Sequence, residues 1–255
     1  MEDELKMQAF NVGKFNVRLL NHEDASEVKQ VQELRYHHLL KEYNPNLPED
    51  GIDDDGYDQY SDSILIIDTE AKKIVGTYRI ASCDTIKDAA YLTEKQYDLT
   101  PLKKQGLRFI ELGRAVVDPD YRDGFVIQLL FLGILHYVEE HHFDYLLGLC
   151  SFHGHDPVAY ANGFYSLKEY IDQSLNLKAT SNAFSFDLID EASFDAKNAR
   201  LELPRLLRMY LNLGSKVAAG GSIDYEFNSC DVLIITKVKE LNMRYVERIT
   251  KINIK

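Results

Sequence analysis

The sequence predicts a layered α/β (α+β) domain, a sheet covered by helices. Segments of strand character recur at residues 14–20, 63–68, 73–81, 109–117 and 145–150. Segments with helical apolar spacing, at 25–43, 126–142 and 157–170, stand among them. No repeat, low-complexity stretch or Pro/Gly-rich linker interrupts the 255 residues. One domain spanning 1–255 is therefore expected, with 175–255 as an extension that completes the sheet.

Each element has a local reason. Residues 14–20 alternate in polarity, and 21–24 supply turn and cap residues. The helix over 25–43 follows, with Val28, Val31, Leu34, Tyr36, Leu39 and Leu40 near helical spacing. A polar stretch with Pro45, Pro48 and Gly51 ends in Asp53, Asp54, Asp55 and Asp58 and reads as a loop. Residues 63–68 and 73–81 form a β-hairpin around 69–72. Residues 83–107 are mixed short helix and loop. The strand 109–117 leads through Pro119 and Gly124 into an apolar helix, 126–142, and 145–150 is a buried strand. Pro157 opens the next helix from its first turn. Further on, 204–213 reads as helix, and 223–227 and 231–236 as strands.

Composition narrows the functional classes. The formal net charge is −12, which argues against a general nucleic-acid binder. A local basic patch remains compatible with an acidic protein partner. The three cysteines, Cys83, Cys150 and Cys230, are far apart and form no Cys-x-x-Cys pair, so reduced and mostly buried thiols in a cytoplasmic protein are expected. The N-terminus, MEDELKMQAF, is acidic and lacks the apolar run of a signal peptide. The most apolar run, 125–138, includes Gln128 and His136 and falls short of the roughly 20 residues of a membrane span. No metal is expected: His153 and His155 lie two apart on a turn without a third ligand, and Tyr57 breaks the calcium-loop template in the acidic run.

The stretch richest in chemistry is FIELGRAVVDPDYRDGFV, residues 109–126. A strand ends at Val117, and a turn with Pro119, Arg122 and Gly124 leads straight into a helix. Free N–H groups at that helix start, with Arg122, suit a phosphate or pyrophosphate. A plain connection with a surface arginine fits the same facts.

This strand–VDPDYR–Gly–helix pattern resembles the acyl-thioester-binding segment of GNAT acyltransferases, and ANGFY, residues 161–165, resembles the helix whose tyrosine faces the thioester sulfur. The usual Arg-x-x-Gly-x-Gly/Ala loop is altered here, because Arg122 is followed by Asp123, Gly124 and Phe125. The altered loop, ELGR at 111–114, SFHGHDP at 151–157, LPRLLRMYLNLG at 203–214 and IDYEFNSCDV at 223–232 resemble one subgroup. That subgroup is the ornithine–acyl-carrier-protein N-acyltransferases, with the related N-acyl amino acid synthases. The resemblance spans about residues 15–250. A more distant likeness, to acyl-homoserine-lactone synthases, rests on Arg35, Asp55, Asp58, Arg79, Glu111 and Arg114, and the absence of tryptophan departs from it.

The resemblance implies the GNAT fold, a mixed, mostly antiparallel twisted sheet flanked by helices. It implies transfer of a long-chain (3-hydroxy)acyl group from acyl-carrier protein to the α-amine of an amino acid: ornithine first, lysine or glycine as alternatives. No permanently bound cofactor is implied; the thioester of acyl-carrier protein, or acyl-coenzyme A, is the donor substrate. Glu111 is the candidate general base, with a structural partnership to Arg114 or Arg79 as the other reading. The backbone N–H near Val116 or Val117 is the candidate oxyanion donor. Tyr165, otherwise a core tyrosine, would protonate the leaving sulfur. Arg35, Asp55, Asp58, Arg79, Arg114 and Ser151 are candidate acceptor-binding residues, with Asp55 and Asp58 set to hold a second amine. For Asp53 and Asp54 a solvated loop is the expectation. Val116, Arg122, Gly124 and Phe125 are candidate donor-binding residues, and Lys103 and Lys104, with Arg108 and Arg122, are a candidate docking patch for acidic carrier protein, with Arg205, Arg208 and Lys216 as a second option. Other readings are a coenzyme-A-dependent acetyltransferase and a non-catalytic acyl-carrier or lipid binder. A lipid product makes peripheral contact with a membrane reasonable, though no interfacial helix stands out.

Overall fold

The computed structural model describes residues 7–86 and 89–250. The acidic residues 1–6 of the N-terminal stretch read above lie outside the described residues. In chain order the strands are β1 (Phe10–Val12), β2 (Phe15–Leu19), β3 (Asp62–Asp68), β4 (Lys73–Ser82), β5 (Phe109–Val117), β6 (Tyr145–His153), β7 (Ala183–Phe184), β8 (Lys216–Val217), β9 (Gly221–Asp224) and β10 (Ser229–Lys237). The α-helices are α1 (Ala25–Arg35), α2 (Lys41–Tyr43), α3 (Thr100–Lys104), α4 (Phe125–His141), α5 (Ala161–Ser166), α6 (Ala196–Glu202), α7 (Arg205–Asn212) and α8 (Met243–Thr250). The chain divides into two compact units, Met1–Ala89 with Leu112–Phe143 and Glu247–Lys255, and Ala90–Glu111 with Asp144–Val246.

In the first unit β1 to β4 form an antiparallel meander. Asp68 closes the β3–β4 hairpin: one carboxylate oxygen accepts the N–H groups of Glu70 and Ala71, and the other accepts Tyr121 Oη at 3.0 Å and Lys14 Nζ at 2.7 Å. Helix α1 begins where expected, because Asp24 accepts the N–H groups of Ser26 and Glu27. Its buried Val31 and Leu34 pack with Leu20, Leu65, Ile74 and Val116.

The helix predicted over 25–43 is interrupted. Residues Tyr36–Leu40 form a π turn, in which the Lys41 N–H reaches back to the Tyr36 carbonyl. Apolar spacing does not reveal such a turn, since the chain stays helical through it. The acidic loop anchors here, with Tyr36 Oη donating to the Pro48 carbonyl at 2.8 Å and its ring resting against Gly51.

Helix α4 covers β2 to β4, and two glycines permit the close approach. A Cβ on Gly76 would lie 2.7 Å from Val126 Cγ1, and one on Gly133 would lie 2.9 Å from Ile64 Cγ2. Closely packed interiors do not absorb such an overlap without moving. No helix among the described residues is long and apolar enough to cross a membrane.

In the second unit the strand order is β6-β10-β9-β7, with β8 also on β10. Strand β10 pairs antiparallel with β6 over its whole length, from Ser229 opposite His153 to Lys237 opposite Tyr145. Phe164 of α5 is fully buried against Phe152 and Phe184, at centroid distances of 4.4 and 4.9 Å.

Several expectations need correction. The helix read over 157–170 is a short α5 between two 3-10 turns, Pro157–Tyr160 and Leu167–Tyr170. Strand β6 runs on to His153, past the predicted end at 150. The strand predicted at 223–227 is β9, which stops at Asp224, because 225–228 turn back towards β10 with Asn228 at φ +57°. Strands β1, β7 and β8 and helices α6 and α8 were not predicted; the three strands are two or three residues long, too short to show a period.

Candidate active site

Strand β5 carries the ELGR motif. Glu111 is buried, and its two carboxylate oxygens accept the N–H groups of Leu92 at 3.2 Å and Thr93 at 2.7 Å. The 3-10 turn Leu92–Lys95 thus offers its first amides, which have no partner within the turn, to this carboxylate. Three residues on, Arg114 has φ +54°. A non-glycine residue in the left-handed region costs roughly 1–2 kcal/mol and is rare within a strand. It re-aims the strand before Val116 and Val117. Beyond it, Val116 is buried and Val117 half-buried.

In the first unit the acidic loop is pinned by three arginines. Arg35, fully buried, donates from both terminal nitrogens to Asp58 at 2.7 and 2.6 Å and to the Asp53 carbonyl at 2.6 Å. Arg79 grips Asp55 in bidentate fashion at 2.7 and 2.8 Å and reaches Asp58 at 3.3 Å. Arg114 donates from Nε to Asp53 at 2.9 Å and from a terminal nitrogen to Asp55 at 3.1 Å. Three guanidinium groups thus balance three carboxylates. The planar fork of arginine suits this bidentate matching.

The lattice sets the ionisation of its members. Burial pushes the Asp55 carboxyl up, but hydrogen bonds from Arg79 and the charges of Arg79 and Arg114 outweigh it and hold Asp55 down at about 2. Asp58 is lowered in the same way: burial opposes, and Arg35 outweighs it. Burial opposes the charge on Arg79 too, and Asp55 outweighs that, raising it. The solvated reading of Asp53 is corrected: its residue is 3% exposed, drawn inward by Arg35 and Arg114. Asp54 alone of the run is turned outward. The oxygens of Asp55 and Asp58, read as a seat for a second amine, are matched to arginine donors.

The turn before α4 has its own geometry. Arg122 donates to the carbonyls of Val117 at 2.9 Å and His38 at 3.1 Å and pairs with Glu42 at 2.6 Å. The π turn of the first helix therefore meets the proposed phosphate loop through this side chain. Gly124 takes φ +101° as the residue before the helix, and Asp123 accepts the Phe125 N–H at 2.9 Å. One amide that an anionic ligand would use is thereby capped internally.

In the second unit, ANGFY has a structural account. Glu202 of α6 accepts Gly163 N–H at 2.6 Å and Asn162 Nδ2 at 3.2 Å. A Cβ on Gly163 would stand 3.1 Å from the Glu202 Cβ. Tyr165 is half-buried, with its ring 5.0 Å from Phe194 and Lys168 Nζ 4.3 Å above it. Among the described residues its hydroxyl has no hydrogen-bond partner. Lys103 pairs with Glu94 at 2.6 Å, and Lys104 beside it is exposed.

One group in this unit was missed. Asp231 of β10, 2% exposed, accepts Gln96 Nε2 at 2.9 Å and Ser229 Oγ at 2.8 Å, and Ser151 hydrogen-bonds to it across the β6–β10 pair. Burial raises its pKa, more than these hydrogen bonds lower it. The signal was available: Asp231 is a lone carboxylate opening the run Val232 to Ile235, and a buried acid in such a strand needs a reason.

The family described as the acetyltransferase (GNAT) domain matches residues 34–132. The L-ornithine N(alpha)-acyltransferase of Brucella abortus is 31% identical over 250 residues, covering 92% of this chain and 88% of that protein. That of Rhodobacter capsulatus is 29% identical over 248 residues, covering 93% and 95%. In structure, an N-acyl amino acid synthase from uncultured soil microbes aligns at a TM-score of 0.53 with 13% identity, over 91% of this chain and 93% of its own. A coenzyme-A-dependent acyl-homoserine lactone synthase also aligns at 0.53 with 13% identity, over 93% and 96%. These two share the fold, a mixed, mostly antiparallel sheet flanked by helices. The chain belongs to the L-ornithine N(alpha)-acyltransferase family, acyl-transferring enzymes built on the GNAT fold.

Proposed function

We propose that this enzyme transfers a long-chain acyl group from the thioester of acyl-carrier protein to the α-amine of ornithine, forming an N-acyl amino acid. The relatives named above carry the acceptor assignment. The observation that carries the chemistry is Glu111, a buried carboxylate aimed by two backbone N–H groups.

In this reading the acceptor's ammonium gives one proton to Glu111, directly or through water. The freed amine attacks the thioester carbonyl carbon, so the C–N bond forms and the negative charge moves to oxygen. The N–H near Val116 or Val117, after the left-handed step at Arg114, stabilises that oxyanion. Collapse breaks the C–S bond; the nitrogen loses its second proton, and Tyr165 supplies one to the departing sulfur. The net products are amide, thiol and one released proton. Arg114, whose side chain is 21% exposed against 0% for Arg35 and 4% for Arg79, is the lattice arginine best placed to meet the acceptor's carboxylate. Arg35, Arg79, Asp55 and Asp58 act by holding the loop in shape.

The donor follows from the turn before α4. Asp123 occupies the Phe125 amide, and Arg122 is engaged with Glu42 and two carbonyls, which leaves a poor cradle for a pyrophosphate. A carrier protein presents a single phosphodiester and brings its own docking surface, for which Lys103 and Lys104 offer the charge. Membrane contact is then peripheral, at the cytoplasmic face. We expect kcat/KM for a long-chain acyl-carrier protein to exceed that for the matching acyl-coenzyme A by at least about 10-fold. Lys103→Glu with Lys104→Glu should raise KM for the carrier donor alone. Equal use of both donors, unaffected by the double variant, would contradict a dedicated carrier-protein donor.

A further inference from the structure

The second unit contains a buried acidic group that the reaction as described does not use. Asp231 and Asp224 share one amide: Gln96 Nε2 lies 2.9 Å from Asp231 Oδ2 and 3.3 Å from Asp224 Oδ2. The other partners are neutral: Ser229 Oγ and Ser151 on Asp231, and the Phe227 N–H on Asp224 at 2.8 Å. Among the described residues, no lysine or arginine pairs with either carboxylate.

A second, independent observation points to a missing donor. With its NH₂ given to the two carboxylates, Gln96 Oε1 is left buried without a hydrogen-bond partner. Gln96 is 8% exposed, and its amide head lies between the carboxylates, so this acceptor belongs to the same cluster. Thr93 Oγ1, three residues earlier and 0% exposed, is likewise unpartnered. Buried polar atoms without partners are uncommon because each costs about 1–3 kcal/mol. Two carboxylates and an orphaned amide oxygen with no cation call for a ligand that donates several hydrogen bonds and carries positive charge. An ammonium does both.

Its placement relative to Glu111 selects which ammonium. Thr93 N–H holds Glu111, and Gln96 Nε2 holds Asp231. Thr93 and Gln96 stand three residues apart on and just after one short turn, so one segment holds both carboxylates. A 2,5-diamino acid carries two amines on one chain, roughly 6 Å apart when extended, by standard bond lengths. Asp224, half-buried, lies towards solvent.

We propose that Asp231, with Asp224 and Gln96 Oε1, binds the distal ammonium of a diamino-acid acceptor and selects dibasic over monoamino substrates. The proposal rests on the N-acyltransferase reading above. It moves the second-amine site from the arginine-matched loop carboxylates to this cluster.

The test is calorimetric binding of ornithine and of norvaline, the same carbon chain without the distal amine, which needs no turnover. Wild-type protein should bind ornithine at least about 10-fold more tightly. Asp231→Asn should remove most of that preference, a loss of roughly 10–100-fold for ornithine with norvaline unchanged. Asp224→Asn, at a half-buried position, should weaken it in the same direction and serves if the Asp231 variant does not fold. An ornithine-to-norvaline ratio near one in wild type, or unchanged in the folded variants, overturns the proposal. So does a variant that changes the preference between 3-hydroxyacyl and plain acyl donors while leaving ornithine binding intact, since that assigns the cluster to the donor. Tight ornithine binding without acylation would instead sink the transferase reading and leave the ammonium site standing.

Discussion

Replacing Glu111 with glutamine is expected to lower kcat for acyl transfer by roughly 10²–10⁴-fold, with little change in the donor's KM. The side chain keeps its size, and its amide oxygen can still accept the Thr93 N–H that lies at 2.7 Å. What is lost is the ability to take a proton. The amide nitrogen also meets the second backbone N–H, from Leu92, so a small loss of stability is expected beside the kinetic one. Single-turnover transfer from a preformed acyl-carrier donor separates chemistry from release, and a circular dichroism melt separates both from unfolding. If Glu111→Gln is folded and turns over within about 3-fold of wild type, Glu111 orders the 92–95 turn and another group takes the proton.

Arg35→Ala is expected to be the most damaging single change to stability, by about 3–5 kcal/mol. Arg35 is fully buried, and its loss leaves Asp58 and Asp53 without a central counter-charge in an environment that water enters poorly. For a chain of this size that corresponds to a fall in Tm of roughly 6–20 °C. Acid should act through the same lattice. Asp55 is lowered from 3.8 to about 2, so its stabilisation is complete above the ordinary carboxylate range and lost as pH falls through the folded value. Asp58 is lowered too and follows the same sign. Urea titrations between neutral pH and pH 2 should show wild type losing stability over that window. Arg35→Ala should lose less, because Asp58, left with Arg79 alone as its cation, gains less from ionising. An unchanged Tm for Arg35→Ala would show that the loop is held by other contacts.

The elements most legible in the sequence were those with a long period or an explicit cap. Strand β5 was read to the residue, Asp24 capped α1 as expected, and the β3–β4 hairpin fell where its apolar runs placed it. What escaped was set by contacts distant in sequence. The π turn at Tyr36–Leu40 depends on the loop that wraps Tyr36 and on Arg122 arriving from another element. Asp53 reads as a surface acid until Arg35 and Arg114 are placed beside it. Gln96 and Thr93 carry no motif at all. Their importance lies in being buried without partners, which only coordinates reveal. The family resemblance rests on the motifs of β5 and the tail, while the arginine-matched acids, Asp53, Asp55 and Asp58, differ from the unmatched Asp231 only in what lies beside them in space.

The measurement that tests the central claim most directly is mass spectrometry of lipids from cells expressing the protein, beside cells expressing Glu111→Gln. The account predicts a new species whose fragments give ornithine amide-linked at its α-nitrogen to a long acyl chain, absent with the variant. A new acetylated small amine or protein in place of any acyl-amino acid would contradict it.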